Sequence, residues 1–335
     1  MEKSKITVIG AGSWGCALAR ILGDNGHDVL IYDVDKNSID EINVYHTNKA
    51  KLKDGLLPLC VKGTTDLKEA IEFSSNVLLV VPTKVVRSVL LDINKYIDSQ
   101  KLFINASKGI EPDSFKRVSE IVYEVIDNNY IKGFVSLTGP SHAEEVICQN
   151  LTMIAAASEN EEHSVYVQEL FSNNKYFRVY RVNDLIGAEL GGSLKNVYAI
   201  AAGLCDGMGY GVNAKAALIT RGLNEMKKLA IAMGAKEETL NGLTGVGDLI
   251  VTCTSPLSRN YMAGMNIARG KDLQETLDSI PMVVEGARTC ISAYFAARKY
   301  NLETPIIDAI YNVIYNKKDP KNELKEIMAR GLKEE

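Results

Sequence analysis

Three glycines, Gly10, Gly12 and Gly15, stand in the stretch VIGAGSWGCALA, directly behind a short apolar run. If the run is a strand and a helix follows, this is the turn that holds the pyrophosphate of a dinucleotide. Gly10 permits the tight turn, Gly12 lets the backbone approach the phosphates, and Gly15 lets the helix pack close. The N–H groups that open the helix then face an anion that its dipole favours. Asp33 closes the next β-rich run, DVLIY. A carboxylate there accepts the ribose hydroxyls of NAD and repels a 2′-phosphate. Asp35 is near and neither position is Arg, so NAD is expected over NADP.

Other residues carry charge where a core would want apolar groups. Lys108, between Ser107 and Gly109, follows the run LFIN and so falls at the carboxyl end of a strand, where ligands bind in open α/β sheets. Lys195 lies inside GGSLKNVYAIAAG, a helical stretch of small and apolar residues. Such a lysine either snorkels to the surface or is buried. Burial lowers its pKa and fits it for acid/base work near neutral pH. Asp248, in the glycine-rich LTGVGDLIVTC, is a carboxylate suited to orient it. TSPLSRN reads as a helix start, with Ser255 as N-cap and Pro256 as first helical residue. Ser258, Arg259 and Asn260 then fall in the first turn, where the Arg fork and the helix dipole together favour phosphate.

These residues need a scaffold. β-rich runs occur at 5–9, 28–32, 77–81, 102–105, 134–137, 151–157 and 176–180, and helical periodicity at 14–25, 36–44, 114–127 and 160–172. Continuous Val/Ile/Leu runs alternating with helices predict strands buried on both faces of a mostly parallel sheet. Near residue 183 the pattern changes to helix throughout, as at 287–300 and 305–316. The expected fold is α/β: a Rossmann-type dinucleotide-binding domain over 1–183, then an all-α substrate domain over 184–335. A substrate cleft is expected between them.

Composition narrows the function classes. Of 335 residues, 46% are hydrophobic and 24% charged, with a net charge of −4, which offers no general surface for nucleic acid or anionic membrane. No apolar run approaches the ~20 residues of a membrane span. The first strand begins at Lys5, leaving no room for a targeting segment, so a cytoplasmic location is expected. The six cysteines and four histidines show no metal-ligand spacing, and reduced thiols without a metal site are expected.

Along almost its whole length the chain resembles the bacterial-type NAD(P)-dependent glycerol-3-phosphate dehydrogenases. The resemblance rests on GAGSWGCALA, ASKGIE, LTGPSHAEEV, GAELGGSLKNVYAIAAGLCDGMGYG, NAKAALITRGLNEM, LTGVGDLIVTC, RN and VVEGART, in that order. It implies that Ser13 and Trp14 join the glycine turn in holding the cofactor, and that Lys108 touches both cofactor and substrate. Gly139 and Ser141 would line the substrate site, with Ala143 near the nicotinamide. Lys195 would be the acid/base and Asp248 its orienting partner. Ser258, Arg259 and Asn260 would bind substrate, Arg259 also facing the cofactor, and Asn196 and Thr252 match further polar substrate positions. Val283 and Glu285 would close over the cofactor. The resemblance also implies a small phosphorylated substrate, a homodimer and a supply of glycerol 3-phosphate to phospholipid synthesis. The chain departs from its relatives at YDVD, where many carry Arg, and at KAKLKDG, where most have a Pro-Gly turn. Two other functions fit the same layout: a 3-hydroxyacid or 6-phosphogluconate dehydrogenase, from which the SPLSRN phosphate site together with LTGVGDL discriminates, and a non-catalytic NAD sensor, which would lack Lys195 and Asp248.

Overall fold

A computed structural model describes residues 2–111, 114–280 and 284–331. Val283, expected over the cofactor, lies outside the described residues. By its contacts the chain divides into two units: Met1–Lys108 with Lys116–Glu189, and Gly109–Phe115 with Leu190–Glu335.

The first unit is built on eight strands: β1 (Lys5–Ile9), β2 (Asp28–Tyr32), β3 (Val61–Thr64), β4 (Asn76–Leu79), β5 (Lys101–Asn105), β6 (Ile131–Thr138), β7 (Thr152–Ala157) and β8 (Phe177–Val182). They lie in the order β3-β2-β1-β4-β5-β6-β7-β8. Every neighbouring pair is parallel except β6 and β7. Helices cover both faces, so the central strands β1, β4 and β5 bury both sets of alternating side chains, while the edge strands β3 and β8 leave some exposed. On β1, Ile6 and Val8 join one apolar cluster with Leu18 and Leu22, while Ile9 joins the other with Leu90 and Phe103.

Two local expectations need correction. β3 (VKGT) carries no apolar run, because an edge strand with an exposed Lys62 has little to bury beyond Val61. The helix expected over 114–127 spans only Val118–Val125. Phe115 has a φ of +58°, which no α-helix accepts, and Gly109–Phe115 belongs to the second unit. Buried Glu189 anchors the shortened helix, accepting from Ser119 N–H and Arg117 Nη1, both at 2.9 Å.

Among the described residues no strand follows Val182. The division between units falls inside the long helix Leu185–Gly207. The second unit continues with the helices Val212–Ala232, Asp248–Thr254, Arg259–Ala268, Glu285–Lys299 and Pro305–Tyr315, among shorter ones. Among the described residues no helix is long and apolar enough to cross a membrane.

Candidate active site

In the first unit the glycine turn follows β1 and leads straight into the helix Ser13–Asp24. Gly10 has a φ of +116°, and a Cβ on it would stand 2.8 Å from the Val80 carbonyl oxygen. A Cβ on Gly15 would stand 2.0 Å from the Gly10 carbonyl oxygen. These two glycines thus let the turn close on itself and on β4. Gly12 differs, since a Cβ there meets nothing within 4 Å. Its surroundings leave room for a ligand at the start of a helix, where N–H groups have no intrahelical acceptor. Trp14 is half-buried against the apolar cluster, and its Nε1 is buried without a hydrogen-bond partner among the described residues. Open space, a helix N-terminus and an unsatisfied donor together fit an anionic, polar ligand such as a dinucleotide.

Asp33 sits just past β2 and does more locally than its sequence position implied. Its Oδ2 accepts from the Ala11 N–H at 2.7 Å and its Oδ1 from the Asp35 N–H at 2.9 Å. The carboxylate therefore holds the glycine turn, with one lone pair per oxygen left for a ligand. Sequence reasoning missed Asn48, which is buried and donates to the Ala11 carbonyl at 2.8 Å. A single loop asparagine has no spacing signature; only the neighbouring KAKLKDG departure marks the place.

Lys108, Gly139 and Ser141 converge at the carboxyl ends of β5 and β6. Lys108 Nζ donates to the Gly139 carbonyl at 3.3 Å, and Ser141 Oγ donates to the same oxygen at 2.9 Å. Buried Ala143 opens the short helix that follows.

In the second unit Lys195 and Asp248 form a buried ion pair between Nζ and Oδ1, with the two residues 3% and 0% exposed. The backbone explains how they meet. A Cβ on Gly191 would stand 2.5 Å from the Thr244 carbonyl oxygen, so helix and turn touch without side chains between them. Four residues onward on each segment lie Lys195 and Asp248. The turn Leu243–Gly247 is π-helical, a wide turn that recurs at functional sites. A Cβ on Gly245 would strike the Leu240 carbonyl oxygen at 1.9 Å. Cys253 lies within the field of both charges, and burial pushes its thiol up to about 12.

Beside the pair, Asn260 Nδ2 donates to Asn196 Oδ1 at 2.9 Å, and Asn260 Oδ1 accepts from the Gly286 N–H at 2.8 Å. Thr252 is buried, its hydroxyl donating to the Asp248 carbonyl one turn back. The helix start at SPLSRN falls later than its sequence implied. Ser255 is extended and ends the helix Asp248–Thr254. Ser258 caps the helix Arg259–Ala268, its Oγ accepting from the Tyr261 N–H at 3.3 Å. Pro256 and Leu257 are consumed by a turn in which the Ser258 N–H reaches the Ser255 carbonyl at 3.1 Å. Arg259 is thus the first helical residue and half-buried, and Glu285 opens the helix Glu285–Lys299.

The comparisons with known proteins agree with this layout. Residues 5–164 match the NAD-dependent glycerol-3-phosphate dehydrogenase N-terminus, and residues 184–325 match its C-terminus. A glycerol-3-phosphate dehydrogenase [NAD(P)+] of Enterococcus faecalis is 49% identical over 99% of this chain and 98% of its own. Another from Bacillus cytotoxicus is 51% identical over 99% of this chain and 97% of its own. The crystal structure of glycerol-3-phosphate dehydrogenase from Coxiella burnetii superposes with a TM-score of 0.92 at 34% identity, covering 98% of this chain and 99% of that one. The sheet order, the glycine turn and the buried lysine–aspartate pair thus come with full-length sequence similarity, and the chain belongs to the NAD-dependent glycerol-3-phosphate dehydrogenase family.

Proposed function

We propose that this protein interconverts sn-glycerol 3-phosphate and dihydroxyacetone phosphate with NAD(P) as cofactor. The observation that carries the reading is the buried Lys195–Asp248 pair beside Asn196 and Asn260. Taking two charges out of water is costly, and a fold that needed only stability could fill that space with apolar groups. An ammonium held by a fixed carboxylate is an acid aimed at one point.

Gly10, Gly12, Ser13, Trp14 and Gly15 would hold the cofactor's pyrophosphate, Asp33 its ribose, and Ala143, Arg259, Val283 and Glu285 would complete its contacts. When bound, the nicotinamide supplies the hydride acceptor for C2 of glycerol 3-phosphate and the donor for the reverse reaction. In reduction, Lys195 donates a proton to the C2 oxygen; in oxidation, its neutral amine takes that proton back. Asp248 fixes the lysine, and Lys108 and Asn196 donate to the oxygen as it gains charge. Gly139, Ser141, Thr252, Ser258 and Asn260 shape the polar site. Arg259 grips the phosphate, giving binding energy remote from the reacting carbon that positions it.

NAD is proposed as the favoured cofactor, on the Asp33 carboxylate and the absence of Arg beside it. The proposed setting is a cytoplasmic homodimer that supplies glycerol 3-phosphate to phospholipid synthesis. The first unit is proposed as the cofactor-binding part and the second as the catalytic part, with 1–183 and 184–335 as working boundaries. The test is reduction of dihydroxyacetone phosphate, followed by loss of NADH absorbance and repeated with NADPH. Turnover with NADH ahead of NADPH is expected. No turnover, turnover only with a 3-keto acid, or turnover only as oxidation of 6-phosphogluconate by NAD(P)+ overturns the reading.

A further inference from the structure

One feature of the first unit, the lysine-rich stretch that packs on the glycine turn, is unused by the reading above. The end of β2, YDVD, carries two carboxylates and no basic residue, while the stretch 47–55, TNKAKLKDG, carries three lysines. The structure brings them to one place. Asn48, already bonded to the glycine turn, has its Oδ1 3.5 Å from the Ser38 hydroxyl, which donates to Asp35 Oδ2 at 2.8 Å. A tight turn follows, in which the N–H groups of Lys51 and Leu52 reach the Asn48 carbonyl at 3.0 and 2.8 Å. Leu52 is buried in the apolar cluster and pins it. The Lys51 carbonyl accepts from the Ser13 hydroxyl at 2.8 Å, at the first residue of the helix behind the glycine turn. The backbone of Lys51 is thereby fixed at the phosphate end, while its side chain is exposed.

The Asp35 carboxyl is held below its ordinary range, chiefly by the Ser38 hydroxyl and then by the Asn37 and Ser38 N–H groups, with the Lys51 ammonium adding the smallest part. Cys16, under the glycine turn, also lies in its field. Glu41, on the preceding helix Lys36–Tyr45, is engaged by the Thr47 hydroxyl at 2.7 Å and the Lys49 N–H at 2.8 Å. Asp33 spends part of its charge on two backbone N–H groups. In a doubly wound fold the adenosine ribose lies against the end of the second strand. A cation there meets whatever the ribose 2′ position carries.

We propose that Lys51 is a specificity-determining residue, whose ammonium meets the 2′-phosphate of NADP(H) and so limits the discrimination that Asp33 imposes. The proposal rests on the dinucleotide reading of the glycine turn. Adenosine 2′,5′-bisphosphate and ADP are the probes, titrated calorimetrically into the wild-type protein and Lys51→Ala. An exposed charge pair is worth up to about 1 kcal/mol, roughly 5-fold in affinity. Lys51→Ala should therefore bind the bisphosphate about 5-fold more weakly and ADP nearly unchanged, with the difference fading at high salt. Lys51→Arg should keep the affinity, and Lys51→Ala should lower NADPH turnover relative to NADH. Equal loss for both probes, no loss for either, or a wild-type protein blind to the 2′-phosphate overturns the proposal. Turnover of dihydroxyacetone phosphate with NADH reports separately on the proposed function, because the binding titration needs no catalysis.

Discussion

Gly12 has open space where a Cβ would stand, whereas Gly191 and Gly245 would each drive a Cβ into a backbone carbonyl. The two regions use the same residue type for different ends. Behind β1, glycine at position 12 leaves open space beside the backbone. Around Lys195, glycine brings backbone against backbone so that two charged side chains meet away from water. The first region offers main-chain donors and a held loop; the second offers one fixed proton donor. Damage to the first should therefore be felt as lost cofactor affinity, and damage to the second as lost chemistry.

Four measurements can break or sharpen this contrast, and Lys195→Ala carries the largest expected effect. General acid–base catalysis contributes ~10²–10⁴-fold, so kcat should fall by at least about 100-fold while NADH affinity stays within about 2-fold. Turnover retained in that variant would remove Lys195 from the mechanism, and a parallel loss of NADH binding would erase the contrast.

The next effect concerns stability within the second unit. Glu225 is buried and accepts from the Ile306 and Ile307 N–H groups at 3.0 and 2.9 Å, capping the helix Pro305–Tyr315. Burial pushes its carboxyl up to about 7 against those two hydrogen bonds. A carboxyl raised on folding stabilises the fold below its unfolded pKa, and that contribution is lost as pH rises through the folded value. On the order of 3 kcal/mol is at stake between about pH 4.5 and pH 7. The thermal midpoint of the wild type should decline across that window relative to Glu225→Gln, and parallel midpoints would show that Glu225 does not titrate there.

Glycine substitutions come third. Gly15→Ala places a methyl against the Gly10 carbonyl, so it should cost about 1–3 kcal/mol of stability and weaken NADH binding together. Gly12→Ala should weaken NADH binding by roughly 10-fold, about 1.4 kcal/mol, and leave the thermal midpoint in place. If both variants lose stability equally, the open space at Gly12 has no functional meaning. The smallest effect is spectroscopic. Trp14, the single tryptophan, should be quenched when NADH binds and should pass energy to it. Unchanged emission at saturating NADH would place the cofactor elsewhere.

What could be read in advance differed between the two regions. The glycine turn and the ends of β1 and β2 were legible because their determinants are adjacent in sequence and each apolar run is bounded by a turn. Lys195 was legible as an anomaly, a charge among apolar neighbours, and Asp248 as a candidate partner. Their pairing was expected, but the backbone approach of Gly191 to Thr244 that produces it was not. β3 escaped because an edge strand whose only buried apolar residue is Val61 leaves no apolar pattern. The start of the Arg259 helix was misplaced because Ser255 and Ser258 both suit an N-cap, and local chemistry alone does not rank them.

By itself the sequence determined the α/β-then-helical order, the dinucleotide turn and the set of charged residues available for chemistry. These follow from periodicity and from residue types within a few positions of one another. The tertiary structure decided how Lys195 and Asp248 are brought together, that Asp33 and Asn48 hold the glycine turn, and that the Lys51 carbonyl meets the Ser13 hydroxyl. Those choices depend on backbone approach between segments distant in the chain, and nothing in the local pattern encodes a distance.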